Sequence, residues 1–188
     1  MTGRLIVVAG PSGSGKTTIA QALLAKNPSL EFSVSATTRP HRPAEEHGRD
    51  YFFLSREEFV QRVGAGEFVE WEEVFGNLYG TLRSEVERGL RAGRHMLFDV
   101  DVKGALSIKR HFPQALLLFV LPPSREVLEE RLRARHTEDE ATLARRLERA
   151  AMELAYADQF DRRVVNDDRE RAIQEAQDIV VHYLSIVE

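Results

Sequence analysis

Residues Gly10 to Thr17 read GPSGSGKT, a complete G-x-x-x-x-G-K-[ST] pattern, and no other stretch restricts the fold of this chain as tightly. The pattern needs one local context: a buried strand delivers the chain to a glycine turn, and a helix leaves it with unbonded N–H groups facing back. Both flanks meet that demand. Arg4 to Ala9 is a short β-type apolar run, and in Thr17 to Ala25 the residues Ile19, Ala22, Leu23 and Ala25 suggest a helix. The glycines let backbone N–H groups turn inward around phosphates, Lys16 supplies a point charge to the β and γ oxygens, and Thr17 offers a hydroxyl to Mg2+. A γ-phosphate and a metal are therefore expected, held by Gly10, Pro11, Ser12, Gly13, Ser14, Gly15, Lys16, Thr17 and Thr18.

The rest of the chain supplies a sheet for that loop. Phe32 to Val34, His95 to Val100, Ala115 to Leu121 and Val164 with Val165 read as short strands, with a helix predicted from about Val102 to His111. Ala172, Ile173, Ala176, Ile179, Val180, Tyr183 and Leu184 trace one apolar face of a closing helix. This β-α-β alternation at both ends implies an α/β fold with a parallel sheet covered by helices. Between Ser35 and about Ala92 the pattern breaks into short pieces: Tyr51 to Leu54, a helix opened by Ser55 with Glu58 at capping-box spacing, and alternating residues around Phe68 to Val74. That segment reads as a small α+β insertion. After Pro122 and Pro123 the chain is charged and helical, with a break near His136 where Thr137 and Glu140 form another capping box. Asp167 and Glu170 form a third before the last helix.

Asp99 ends an apolar run, where a phosphate-loop fold places its acidic Mg2+ residue, and Asp101 follows two positions on. Asp101 can also be read as no more than the cap of the next helix. With 188 residues the chain suits one domain with a sizeable core. It has no cysteine, so disulfides, thiolate zinc sites and cysteine nucleophiles are excluded, and its six histidines show no metal-ligand spacing. A net charge of −4 argues against a global field that gathers nucleic acid. No segment approaches the 18 apolar residues or so of a membrane span, and no signal peptide is recognisable at the N-terminus, so a cytoplasmic location is expected.

The sequence TTRPHR, Thr37 to Arg42, places two arginines in a stretch that proline keeps out of a helix. By itself this is an ordinary solvated loop. A phosphate-loop kinase of a small molecule, however, needs a second anion site facing the first, and Arg39 and Arg42 are candidates for it. A nucleotide switch and a motor fit less well, since the guanine-reading N-K-x-D is absent and no large partner-facing domain is evident.

Together, GPSGSGKTT, FSVSATTRPHRP, GRDYFF, GEFVEWEEVFGNLYGT, LFDVDVKGA, PPS, LAYADQFD and VVND resemble, in order and spacing, the guanylate kinase family of nucleoside monophosphate kinases. The resemblance covers essentially the whole chain. It implies a P-loop NTPase-type three-layer fold with a core of 1–34, 93–124 and 150–188, a GMP-binding insertion over 35–92 and a helical lid over 125–149. It also implies transfer of phosphate from ATP to GMP with Mg2+ as cofactor, small-molecule substrates only, and no nucleic acid, membrane or obligatory protein partner. By matching positions, Arg39, Arg42, Tyr51 and Tyr79 would bind the GMP phosphate, and Ser35, Glu70, Thr81 and Asp101 would read guanine. Asp99 would serve both the GMP pocket and the metal, the latter with Thr17. Lys16, Arg39, Arg135 and Arg146 would stabilise the charge in transfer, and Asn166 would lie near ATP. The likeness to the family is imperfect at His41, Ala44, Lys103 and His136. Two alternatives stay open at this point: a guanylate-kinase-like binding module without catalysis, and a kinase of a phosphorylated sugar.

Overall fold

The computed structural model describes residues 3–74, 76–134 and 140–186. Strands β1 (Leu5–Ala9), β2 (Leu30–Phe32), β7 (His95–Asp99), β8 (Leu116–Leu121) and β9 (Arg162–Val165) form one sheet in the order β2-β7-β1-β8-β9. Every neighbouring pair in it is parallel. Because β1 is buried on both faces, its side chains divide by parity. Leu5, Val7 and Ala9 pack with Met96, Phe98, Val102, Ala105 and Ile108, while Ile6 and Val8 pack with Ile19, Leu23, Val164, Ala172 and Val180.

Helices α3 (Arg83–Arg91) and α4 (Val102–His111) therefore cover one face, and α1 (Lys16–Lys26) and α7 (Arg169–Ser185) the other. Each fully buried leucine, isoleucine or valine contributes about 1.5–3 kcal/mol. The resulting three layers hold the C-terminal ends of β1 and β7 side by side, with Val8 opposite Asp99. Ligands of such sheets bind at that edge.

A second sheet, in the order β4-β3-β6-β5, lies within the expected insertion: β3 (Ala36–Thr37), β4 (Phe52–Phe53), β5 (Phe68–Val74) and β6 (Asn77–Leu82). Its own core is small, comprising Ala36, Phe59, Phe68, Leu78 and Leu82, with Phe59 from α2 (Arg56–Gly64) stacked 4.4 Å from Phe68. Ser55 caps α2 by accepting from the Glu58 N–H at 3.1 Å, as its spacing implies. Strand β6 and helix α3 were not separated out in the sequence, because Gly80 interrupts the β pattern and α3 has only Val86 and Gly89 buried.

The charged stretch folds as α5 (Arg125–Arg133) and α6 (Glu140–Leu154), which share a core of Leu128, Leu132, Leu143 and Ala150. Thr137 and His136 lie outside the described residues. Before α7 the cap is Asp168, accepting from the Arg171 N–H at 2.8 Å, and not Asp167. Asp167 accepts instead from the N–H of Asp168 at 2.7 Å. Among the described residues, no helix is long and apolar enough to cross a membrane.

Candidate active site

The glycine loop leaves β1 and enters α1 with Gly13 and Gly15 at φ of 89° and 93°, a region open to glycine and strained for other residues. Gly15 is also the N-cap of α1, with no side-chain cap and no acidic residue in the first turn. The helix start thus keeps its unbonded N–H groups for an anion. The loop is held from outside by Asn166, which is buried and donates Nδ2–H to the Ser14 carbonyl at 2.7 Å. A Cβ on Gly15 would stand 2.1 Å from that nitrogen. Asn166, expected near ATP, is placed as a brace of the loop, and Arg131 donates to its carbonyl at 2.9 Å.

Thr17, in the first turn of α1, donates its hydroxyl to Asp99 Oδ2 at 2.7 Å. The other Asp99 oxygen is buried without a hydrogen-bond partner, as is the hydroxyl of Ser14. Orphaned buried polar atoms cost free energy unless a ligand meets them. Thr18, one residue on, is exposed.

Facing the loop is a cavity of about 300 Å3 lined in part by Lys16, Thr17, Ser35, Tyr51, Glu70, Tyr79, Asp99 and Asp101. Seven of the expected acceptor-side residues are thus accounted for by this cavity and its wall, since Thr81 stands directly behind Glu70. The Thr81 hydroxyl donates to Glu70 Oε1 at 2.5 Å. Glu70 is only 8% exposed, and burial raises its carboxyl to about 7 against the opposing Thr81 hydrogen bond, with the Asp101 charge adding to the rise. Gly104 at the start of α4 permits this approach. A Cβ there would lie 2.8 Å from Glu70 Oε2 and 2.9 Å from Asp101 Oδ1.

Asp101 has the capping role that its position before α4 allowed: Oδ1 accepts from the Gly104 N–H at 2.8 Å, while Oδ2 accepts from Arg149 at 3.0 Å. It also lines the cavity, so capping and ligand contact do not compete for its location.

The two arginines of the opening loop are placed differently from one another. Arg39 is half-buried, its guanidinium 5.3 Å above the Tyr51 ring and bonded to Glu45 at 2.7 Å. Tyr51 and Tyr79 meet edge to face at 6.2 Å. Burial raises the Tyr51 phenol pKa, with the neighbouring Tyr79 adding to the rise and Arg39 opposing it. Arg42 is exposed, and its backbone N–H donates to Glu45 at 3.0 Å. Glu45 is a residue that the sequence reading missed; a carboxylate three positions after Arg42 in a proline-bounded loop was the available signal. His41 and Ala44 fit the same loop: His41 packs edge-on against Phe53 and meets the Glu45 carbonyl, and the Ala44 carbonyl accepts from Arg49. Lys103 stands 3.8 Å from Glu72.

Arg146 lines a second cavity of about 220 Å3, together with Gly10, Ser12, Lys16, Arg149 and Glu153. Arg135 lies outside the described residues.

Residues 2–183 match the family model described as Guanylate kinase. The chain belongs to the guanylate kinase family. It is 49% identical to the guanylate kinase of Thermotoga maritima over 180 residues, 96% of this chain and 87% of that one. It is 51% identical to the guanylate kinase of Chlorobaculum tepidum over 183 residues, 97% and 94% of the two chains. The crystal structure of guanylate kinase from Anaplasma phagocytophilum superposes with a TM-score of 0.80 at 32% identity, covering 99% of this chain and 88% of that one. The similarity spans both sheets and the charged helices alike.

Proposed function

We propose that this member of the guanylate kinase family transfers the γ-phosphoryl group of ATP to a phosphate oxygen of GMP, giving ADP and GDP. The observation that carries the reading is Glu70, a buried carboxylate braced by Thr81 in the cavity that also opens onto Lys16 and Thr17. Guanine presents donors at N1 and N2 and an acceptor at O6, so one carboxylate can take both donors while a hydroxyl such as that of Ser35 serves O6, the Thr81 proton being already given to Glu70. Adenine has no N1 proton, and a buried Glu70 facing it would stay unpaired. Sites of that kind reject the wrong partner by roughly 10⁴-fold or more.

In this reading the segments 1–34, 93–124 and 150–188 are the core, 35–92 carries GMP, and 125–149 is the lid. The attacking oxygen belongs to an already ionised phosphate, so no general base is required. The new bond forms from that oxygen to the γ phosphorus, and the bond to the β–γ bridging oxygen breaks, leaving its electron pair on ADP. Gly10 to Thr18 hold the ATP phosphates through backbone N–H groups and Lys16. Tyr51 and Tyr79 donate to the GMP phosphate without adding charge, and Arg39 and Arg42 neutralise it. Arg146, and Arg135 by the family pattern, add positive charge where the transferring group gains negative charge.

Mg2+ fits the residues present. Thr17 and Asp99 are adjacent oxygen donors, and the unpartnered Asp99 oxygen suits a hard cation that takes few protein ligands and completes its shell with phosphates and water. Held there by Thr17 and Asp99, it would supply positive charge that offsets the charge of the donor phosphates. A cytoplasmic setting and reliance on small-molecule substrates alone complete the proposal.

The test is ADP release with ATP and Mg2+, offering GMP, AMP, CMP, UMP and dTMP in turn. Turnover with GMP far above the others is expected. No turnover with any of them would overturn the reading in favour of a binding module or another acceptor.

A further inference from the structure

Arg149 was not singled out in the sequence, where it is one arginine among many on a charged helix. In the fold it is a junction. Its guanidinium reaches three carboxylates from three places: Asp101 at 3.0 Å, after β7; Glu72 at 3.3 Å, on β5 of the second sheet; and Glu153 at 2.9 Å, one turn along its own helix α6. The four side chains are 13–27% exposed, so the contacts are less screened than ordinary surface pairs.

The location matters more than the number of partners. Asp101 and Glu72 line the cavity that contains Glu70, and Arg149 lines the second cavity with Ser12 and Arg146, Lys16 and Asp101 being common to both. The cation is therefore a link between the wall of the expected acceptor pocket and the space beside the phosphate loop. Arg146 is three residues away on the same helix, which places it on the same face. Arg149 thus ties Glu72 and Asp101 to the helix that carries Arg146.

We propose that Arg149 is a positioning residue that couples occupancy of the acceptor pocket to the placement of α6, and so of Arg146 beside the donor phosphates. This inference rests on the ATP and GMP reading given above. A base bound in the pocket that Glu72 and Asp101 line changes what those carboxylates offer Arg149, and α6 carries the change to Arg146. GMP then tightens ATP binding, and by linkage ATP tightens GMP binding to the same degree.

The experiment measures the affinity of the non-hydrolysable analogue AMPPNP with Mg2+, by calorimetry, in the absence and presence of saturating GMP. In the wild-type chain GMP is expected to tighten AMPPNP by about fivefold or more. In Arg149→Met the ratio is expected to fall to within about twofold of one, on the same coupling scale, while Arg149→Lys, which keeps the charge but cannot serve three carboxylates, lies between them. A residue that only supports the fold would change both affinities and leave their ratio intact. Glu72→Gln loosens the same link from the second sheet and carries the test should Arg149→Met not fold; it too is expected to lower the ratio. An unchanged ratio in these variants, or no coupling in the wild-type chain, overturns the inference. Wild-type turnover with GMP, measured alongside, separates that outcome from failure of the GMP reading itself.

Discussion

The phosphate loop presents backbone N–H groups and a single lysine, whereas the pocket opposite presents carboxylates, phenols and, beside them, an arginine already bound to Glu45. The loop comes from one continuous octapeptide, locked by glycine dihedrals and braced by one distant side chain, Asn166. The pocket takes Ser35 and Tyr51 from the loop region around β3 and β4, Glu70 from β5, Tyr79 and Thr81 from β6, and Asp99 and Asp101 from the end of β7. On the function proposed above, the difference follows from what each side would have to recognise. Triphosphate oxygens are numerous and alike, so repeated N–H groups suffice, while a single base must be told from its isosteres by a few placed side chains.

If that division is right, the largest effect comes from the loop cation. Lys16→Met is expected to lower kcat by roughly 10³-fold, the scale of removing a donor to developing charge, with little change in Tm; stopped-time ADP assays and thermal melts read both. Next in size is Gly15→Ala, which puts a side chain at φ of 93° and a Cβ 2.1 Å from Asn166 Nδ2. It is expected to raise KM for ATP by roughly tenfold or more, from at least 1–2 kcal/mol of left-handed backbone strain alone, with KM for GMP moving far less. Gly104→Ala is the counterpart on the other side. Its Cβ would crowd Glu70 and Asp101, so KM for GMP rises by several-fold, at the ~1–3 kcal/mol scale of overpacking, and KM for ATP is largely spared. If both glycine variants impair both substrates equally, the two halves are not built independently.

The smallest effect is on stability. Burial raises the Glu70 carboxyl from 4.5 to about 7, so between those values the folded chain holds a proton that the unfolded chain has released. Stability is therefore lost as pH rises from about 4.5 to 7 on account of this group. Melts of the wild-type chain and Glu70→Gln across that range are expected to diverge in this sense, the variant gaining relative to wild type toward pH 7.

The same contrast explains what was legible in the sequence. The loop, its flanking strand and helix, and the parallel core follow from contiguous patterns, because a short unbroken apolar run is enough to place β1 and a period of 3.6 to place the apolar face of α7. Strand β5 was also recognisable, and its limits at Phe68 and Val74 agree with the structure. Glu70 was not distinguishable by residue type from Glu67, Glu72 and Glu73. Its burial depends on a sheet pairing with Thr81 and on Gly104, 34 positions away, and only the family pattern connected them. Glu45 and Arg149 escaped for a related reason, since a charged residue reads as solvated until its partners on other elements are known.

The most direct test of the account is the discrimination between GMP and AMP, measured as the ratio of kcat/KM values in the wild-type chain and in Glu70→Gln. The account predicts a wild-type preference for GMP of roughly 10⁴-fold or more. It predicts a loss of roughly 100-fold or more in that preference in the variant, as two donors lose a charged acceptor at about 1.5–3 kcal/mol each. An undiminished preference in Glu70→Gln would contradict it, and would move base recognition away from the buried carboxylate to other groups in the pocket.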